Sequence, residues 1–150
     1  MNINAVTPKS RRCDEIAEVT QTEYEALAEF RYSLRQFLRF SEEAAQNAGL
    51  TPQQHQALLA IKGFPEGKNI TIGDLAERLQ IRHHSAVGLA DRLVLKDFVT
   101  RKHDGADRRQ VRLALTARGG RMLEKLSTAH KEQLRRVGPH IESLLKRLRG

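Results

Sequence analysis

A run of polar residues opens one of the predicted helices. Arg82, His83, His84 and Ser85 are consecutive, and Val87 follows one turn after His83. The first turn of a helix has backbone N–H groups without partners and carries the positive end of the helix dipole, so it attracts anions. Guanidinium, imidazole and hydroxyl groups donate hydrogen bonds to phosphates and base edges. The run therefore indicates contact with nucleic acid, and the alternative is an exposed helix start with Ser85 as a cap.

A second basic group surrounds a predicted hairpin tip. Lys102 precedes the Asp-Gly step of residues 103–107, and Arg108 and Arg109 follow it. A basic hairpin can lie along a DNA backbone with an arginine in a narrow minor groove; a solvated hairpin is the alternative. Phosphates repel carboxylates, so Asp107 is expected to orient a nearby arginine instead of contacting DNA.

The other polar residues do not form a pattern that predicts catalysis. The six histidines have no zinc-type spacing, and two adjacent histidines on a helix point about 100° apart. There is no glycine-rich phosphate loop and no Gly-x-Ser-x-Gly elbow. We therefore expect no enzyme activity, no cofactor and no resident metal. A zinc-sensing variant that uses His103, Asp104 or Asp107 stays open as a minor alternative.

Charge is distributed unevenly along the 150 residues. The chain has 26 basic and 18 acidic residues, and residues 101–150 alone have 14 basic and five acidic ones. This asymmetry favours a polyanionic partner. No apolar run approaches the roughly 18 residues of a membrane span, and the polar N-terminus lacks a secretory h-region. We therefore expect a cytoplasmic protein without membrane contact. Its single cysteine, Cys13, excludes an internal disulfide.

Periodicity predicts the elements that position these residues. Apolar residues recur at helical spacing over 23–48, and Gly49 is expected to end that helix. Thr51, Pro52 and Gln54 predict a capping box for a second helix to about Lys62. The remaining predictions are a short helix from about Thr71, a helix over 82–96, strands over 98–102 and 110–115, a helix from Thr116 to about Val137, a break at Gly138-Pro139 and a last helix from 141.

Two short helices followed by a hairpin predict a mainly helical fold with a small β-hairpin wing. We expect a single domain over 1–150. It would consist of a flexible N-terminal segment (1–20), a winged helix-turn-helix lobe (51–116) and dimerisation helices at both ends (21–49 and 117–150), because the apolar stripes of the outer helices exceed what one lobe can bury.

The order and spacing of several short blocks resemble the multiple-antibiotic-resistance regulator (MarR) family. The blocks are Leu75-Ala76-Glu77-Arg78-Leu79, Ser85, Leu89, Asp91-Arg92-Leu93, Phe98-Val99 and Asp107-Arg108-Arg109-Gln110-Val111-Arg112-Leu113-Ala114-Leu115-Thr116. The resemblance covers residues 20–148. It departs from the family at Arg82, where many relatives have a capping serine, and at Gly88, where many have an arginine or threonine that contacts DNA.

The resemblance implies a homodimeric repressor that binds an inverted-repeat operator in double-stranded DNA and releases it on binding a small phenolic or carboxylic ligand. Two other interpretations stay open. One is a constitutive, sequence-tolerant nucleic-acid-binding protein. The other is a redox-responsive regulator, because some family members have a reactive cysteine near the N-terminus; here Arg11 and Arg12 would lower the pKa of Cys13, whereas Asp14 and Glu15 would oppose this.

The resemblance also implies a ligand pocket above the DNA-binding lobe. Candidate lining residues are the polar Arg31, Arg35 and His55 with the apolar Phe30, Leu34 and Leu59. An arginine there would hold a ligand carboxylate. The alternative is that Arg31 and Arg35 are neighbours on a solvent-exposed helix face.

Overall fold

The computed structural model describes residues 18–66, 68–103 and 111–149. The elements are α1 (Gln21–Asn47), α2 (Pro52–Lys62), α3 (Ile72–Leu79), α4 (His83–Leu95), β1 (Val99–His103), β2 (Val111–Leu115) and α5 (Ala117–Arg149). Helices α3 and α4 form the helix-turn-helix. Strands β1 and β2 pair antiparallel in the register Val99↔Leu115 to His103↔Val111. The predicted fold class, mainly helical with a hairpin wing, is confirmed.

Three helices begin with reciprocal caps. At α2 the amide of Gln54 donates to Thr51 Oγ1 over 3.2 Å, and the Thr51 amide donates to Gln54 Oε1 over 3.1 Å, which confirms the predicted capping box. Helices α1 and α3 begin in the same way, from Thr20 and Thr71. The N-cap of α4 is Arg82, whose side chain makes no capping bond. Only local sequence is needed for such caps, so they fix where each helix starts.

One core joins the lobe to the ends of the long helices. Its buried members are Ala45, Leu50, Ala57, Leu58, Ile61, Ile70, Leu75, Leu89, Ala90, Leu93, Phe98, Val99, Leu113, Leu123 and Leu126. The wing is attached to it at its base, where Val99 and Leu113 are buried and the Leu113 amide donates to Ile70 O over 2.9 Å. The core therefore holds α4 and the wing as one unit.

Helix α5 corrects the prediction of a break at Gly138-Pro139, because it runs without interruption to Arg149 with Pro139 inside it. Proline removes one helical hydrogen bond and crowds the carbonyl four residues earlier. Contacts on the far side of Pro139 hold α5 in place: His140 Nε2 lies 3.1 Å from Glu29 Oε1 on α1, and Leu144 is buried. These tertiary contacts outweigh the local tendency of proline to end a helix. None of the described helices has the length and apolar character that crossing a bilayer requires.

Candidate nucleic-acid interface

Helix α4 presents a polar face to solvent because its other face is inserted in the core. Its buried residues are Ala86, Leu89, Ala90 and Leu93. The predicted contact residues Arg82, His83, His84 and Ser85 are all exposed, and Val87 is half-buried. The structure thus brings the predicted run together at the free end of a helix whose orientation is fixed by packing.

The first turn of α4 also leaves backbone donors available. The amides of Ser85 and Ala86 both donate to Arg82 O, over 3.0 and 3.1 Å, whereas those of His83 and His84 before them have no partner among the described residues. No side chain caps the amides of this turn. Arg82 therefore adds a cation where a capping serine would have provided an acceptor. Free N–H groups, the helix dipole and a guanidinium at one point suit an anionic oxygen.

An ion pair that the sequence analysis missed ties the wing to α4. Arg101 Nη1 on β1 lies 2.7 Å from Asp91 Oδ1, and its Nη2 donates to Val87 O over 3.4 Å. The pair neutralises Asp91, which would otherwise repel a phosphate, and fixes the angle between hairpin and helix. The sequence did contain a signal for this ion pair, which was Asp91 itself. A carboxylate on a helix face that is expected to meet DNA needs a cationic partner.

The described part of the wing includes few of its predicted contact residues. Lys102 is exposed on β1, opposite Arg112. Asp107, Arg108 and Arg109 lie outside the described residues, as do Asp104 and Cys13. Within the described ranges no three His, Cys, Asp or Glu side chains converge as a metal site would require.

The six candidate ligand residues do not line a common pocket. Arg31, Leu34 and Arg35 are exposed on α1, where Phe30 is half-buried. Arg35 borders an open groove along α1 with Tyr32 and Arg39. Leu59 borders a different groove, between α2 and α3. His55 is only 4% exposed and faces α5.

His55 belongs to an aromatic cluster between α1, α2 and α5. Its ring lies 4.7 Å from that of His130, which also has edge contacts with Phe37 and Phe40 at 6.0 and 5.5 Å. The Nδ1–H of His130 donates to Leu126 O over 2.6 Å, and its Nε2 lies 2.7 Å from Ser41 Oγ. Burial lowers the pKa of His55, and the nearby His130 lowers it further. This cluster therefore favours a neutral His55.

The geometry is that of a winged helix-turn-helix protein, and known proteins share its pattern of sequence and fold. A family model described as MarR family matches residues 48–110. The chain is 29% identical over 89 residues to the HTH-type transcriptional repressor MdtR of Bacillus subtilis (strain 168), a match that covers 59% of this chain and 56% of that protein. The chain thus spans just over half the length of this curated relative.

Solved structures show the same fold. A MarR family protein from Bacillus stearothermophilus superposes with a TM-score of 0.68 at 25% identity, covering 78% of this chain and 79% of that one. The F27L mutant of S. aureus MepR, solved bound to an oligodeoxyribonucleotide, gives 0.63 at 21% identity, covering 77% and 82%. Together these matches support a winged-helix regulator of the MarR family.

Proposed function

We propose that the protein is a dimeric repressor that binds an inverted-repeat operator in double-stranded DNA. The observation that carries this proposal is the exposed, uncapped and cationic start of α4, held on the core and tied to the wing by Arg101. That arrangement suits insertion of α4 into a major groove. The DNA-bound MepR mutant of similar fold and the relative MdtR, named a repressor, support the same interpretation. Such a regulator would act in the cytoplasm, with the chromosome.

The proposed contacts divide between base edges and the backbone. Arg82, His83, His84, Ser85 and Val87 would lie in the major groove, where imidazole and hydroxyl groups can donate to bases or phosphates. In the wing, we propose that cationic side chains contact the backbone while a carboxylate orients one of them. The cations are Lys102, Arg108 and Arg109, and the carboxylate is Asp107.

Dimerisation is supported by apolar side chains that a single chain leaves uncovered. Tyr24, Leu27, Leu34 and Leu38 share one face of α1, and each is at least 40% exposed. Leu134 of α5 is also exposed. A second copy that covers these residues would pair two α4 helices across a two-fold axis, which is why the operator would be an inverted repeat.

A small aromatic or carboxylic effector would release the operator. The exposed arginines Arg31 and Arg35 of α1 offer forked donors for a carboxylate. Effector binding and redox control through Cys13 predict different responses. If the protein binds an effector, an aromatic carboxylate such as salicylate would raise its unfolding temperature. If Cys13 is the sensor, peroxide would release DNA only from a protein in which Cys13 is intact.

Selection from a random DNA library tests the proposal. We expect an inverted repeat with half-sites centred about 10 bp apart. His84→Ala should weaken the selected site by about 1 to 3 kcal/mol and leave random DNA nearly unaffected, whereas Arg108→Ala and Arg109→Ala should each reduce the salt slope by about one. Lys125→Ala, at an exposed position on α5, is the control. Recovery of no repeat would instead favour the sequence-tolerant binder.

A further inference from the structure

Gly88 lies in the middle of the solvent-facing side of α4, and an arginine lies against it. Residues 84, 88 and 92 follow one another at four-residue spacing and so share one face of the helix. Arg92 Nη1 is 3.4 Å from the position that a Cβ on Gly88 would occupy. The Arg92 side chain therefore extends back along the helix, and its guanidinium reaches the turn of Gly88.

The guanidinium of Arg92 makes no polar contact with the described residues. Within the part of the chain that the structure describes, it has no ion pair and donates no hydrogen bond. Its neighbour Asp91 is already paired with Arg101, 2.7 Å away. Lys96, the next cation along α4, donates to Gly49 O and Gln54 Oε1 instead. Arg92 is thus an exposed cation whose N–H donors have no partner among the described residues, and it lies beside the middle of the proposed DNA-facing surface.

The shape of α4 at this point explains the position of the guanidinium. Helical side chains lean towards the N-terminus, so a long residue covers the turn before its own Cα. With no side chain at Gly88, the Arg92 side chain can lie flat there, and the helix backbone can approach base edges closely. Nothing else in the chain requires glycine at this position, because an alanine Cβ would make only an ordinary contact.

We propose that Arg92 reads a guanine in each half-site and that Gly88 provides the space that positions it. The inference rests on the proposed operator binding and adds a specificity residue to it. A guanidinium matches guanine through two parallel hydrogen bonds to O6 and N7, which a lysine ammonium cannot reproduce as a planar fork. The guanine should lie further into the half-site than the bases next to His84, because Arg92 approaches from the C-terminal side of Gly88.

The test is selection from one random DNA library with the wild-type protein and four variants. The variants are Arg92→Lys, Arg92→Ala, Gly88→Leu and the control Lys125→Ala. We expect the wild-type protein to prefer guanine at one position in each half-site. Arg92→Lys should lower that preference about tenfold and keep the salt slope, since the charge is retained. Gly88→Leu should lower the preference as Arg92→Lys does, because leucine displaces the guanidinium, whereas Lys125→Ala, which removes an exposed cation of α5, should keep it.

Three results would overturn the inference, and each of them can be distinguished from the other two. If Arg92→Lys and Arg92→Ala select the wild-type site with unchanged affinity, Arg92 does not read DNA, and operator binding itself stands. If Arg92→Ala weakens all DNA equally, reduces the salt slope by about one and is rescued by lysine, Arg92 contacts a phosphate only. If the wild-type protein selects no inverted repeat, the proposed function fails and this inference fails with it. Unfolding midpoints verify that the variants are folded.

Discussion

His55 is buried beside His130, and the two rings are tilted by 37° at a centroid distance of 4.7 Å. Both ring nitrogens of His130 have hydrogen-bond partners, Leu126 O and Ser41 Oγ. The side chain of His55 forms no hydrogen bond within the described part of the chain and is buried against His130. Burial first, and the charge of His130 second, lower the pKa of His55 below its usual 6.5. Protonation of His55 therefore opposes folding.

The lowered pKa of His55 predicts a change in stability at mildly acid pH. As pH falls below about 6.5, the unfolded chain binds a proton at His55 before the folded chain does, so the free energy of unfolding declines until the lowered folded-state pKa is passed. Urea denaturation between about pH 8 and pH 5 measures this decline. His55→Gln should flatten it, and His83→Gln, at an exposed position, should not. A decline of equal slope in His55→Gln would contradict the assignment.

The sequence was sufficient to place those residues of the candidate interface that depend on local structure. Arg82 to Ser85 could be placed at a helix start because capping and periodicity act within a few residues. The partnership of Arg101 with Asp91 and the position of the Arg92 guanidinium depend on how α4, the wing and individual rotamers come together. A one-dimensional pattern does not include those distances, so these residues were found only in three dimensions.

At the scale of elements, Gly119 determines how α5 joins the wing. A Cβ at Gly119 would lie 2.0 Å from Phe98 O, whereas one at Gly120 would meet nothing within 4 Å. Phe98 O also accepts from the Thr116 amide over 3.0 Å, and Thr116 Oγ1 donates to Asp97 O over 2.7 Å. The first turn of α5 is therefore fitted directly onto the start of β1.

The two adjacent glycines provide a matched test of this junction. Gly119→Ala should destabilise the fold by roughly 1 to 3 kcal/mol, because the methyl group forces α5 and β1 apart. Gly120→Ala should stabilise it by up to about 1 kcal/mol, because alanine is the better helix former and the space is open. Urea denaturation of both variants gives the two differences. Effects of the same sign would show that helix propensity, and not the contact with Phe98, governs the junction.

Element prediction from sequence succeeded where local signals dominate and was wrong where tertiary contacts override them. The capping box at Thr51 and the switch from helical to alternating periodicity after α4 were sufficient for the order of elements. The predicted break at Pro139 was wrong, because α5 continues through this residue while it is held against α1. Local signals gave the predicted strands 98–102 and 110–115 to within a residue of the observed β1 and β2.

For the whole molecule, the residues of α1 divide into small buried ones and large exposed ones, a division that periodicity alone does not give. Ala26, Ser33 and Ala45 are buried within the chain, whereas the larger Leu34 and Leu38 are 40% and 45% exposed. Small residues allow α1 to approach its own fold closely, and large ones project from it. The sequence showed an excess of apolar residues, and the structure shows which of them remain for a second copy to cover.

This division predicts that Leu34→Glu combined with Leu38→Glu produces a folded monomer. Both side chains are already partly solvated in the single chain, so the charges should leave its fold intact while they oppose burial in a dimer. Sedimentation at micromolar concentration should give a dimer for the wild-type protein and a monomer for the variant. Binding to the full inverted repeat should weaken by about 100-fold or more, because the subunit on the second half-site is no longer tethered to the subunit on the first.

Leu59→Glu, at a position on α2 that is 50% exposed, is the matched control and should remain dimeric. A variant that still sediments as a dimer, or a wild-type protein that sediments as a monomer, would rule out this face of α1 as the dimer interface.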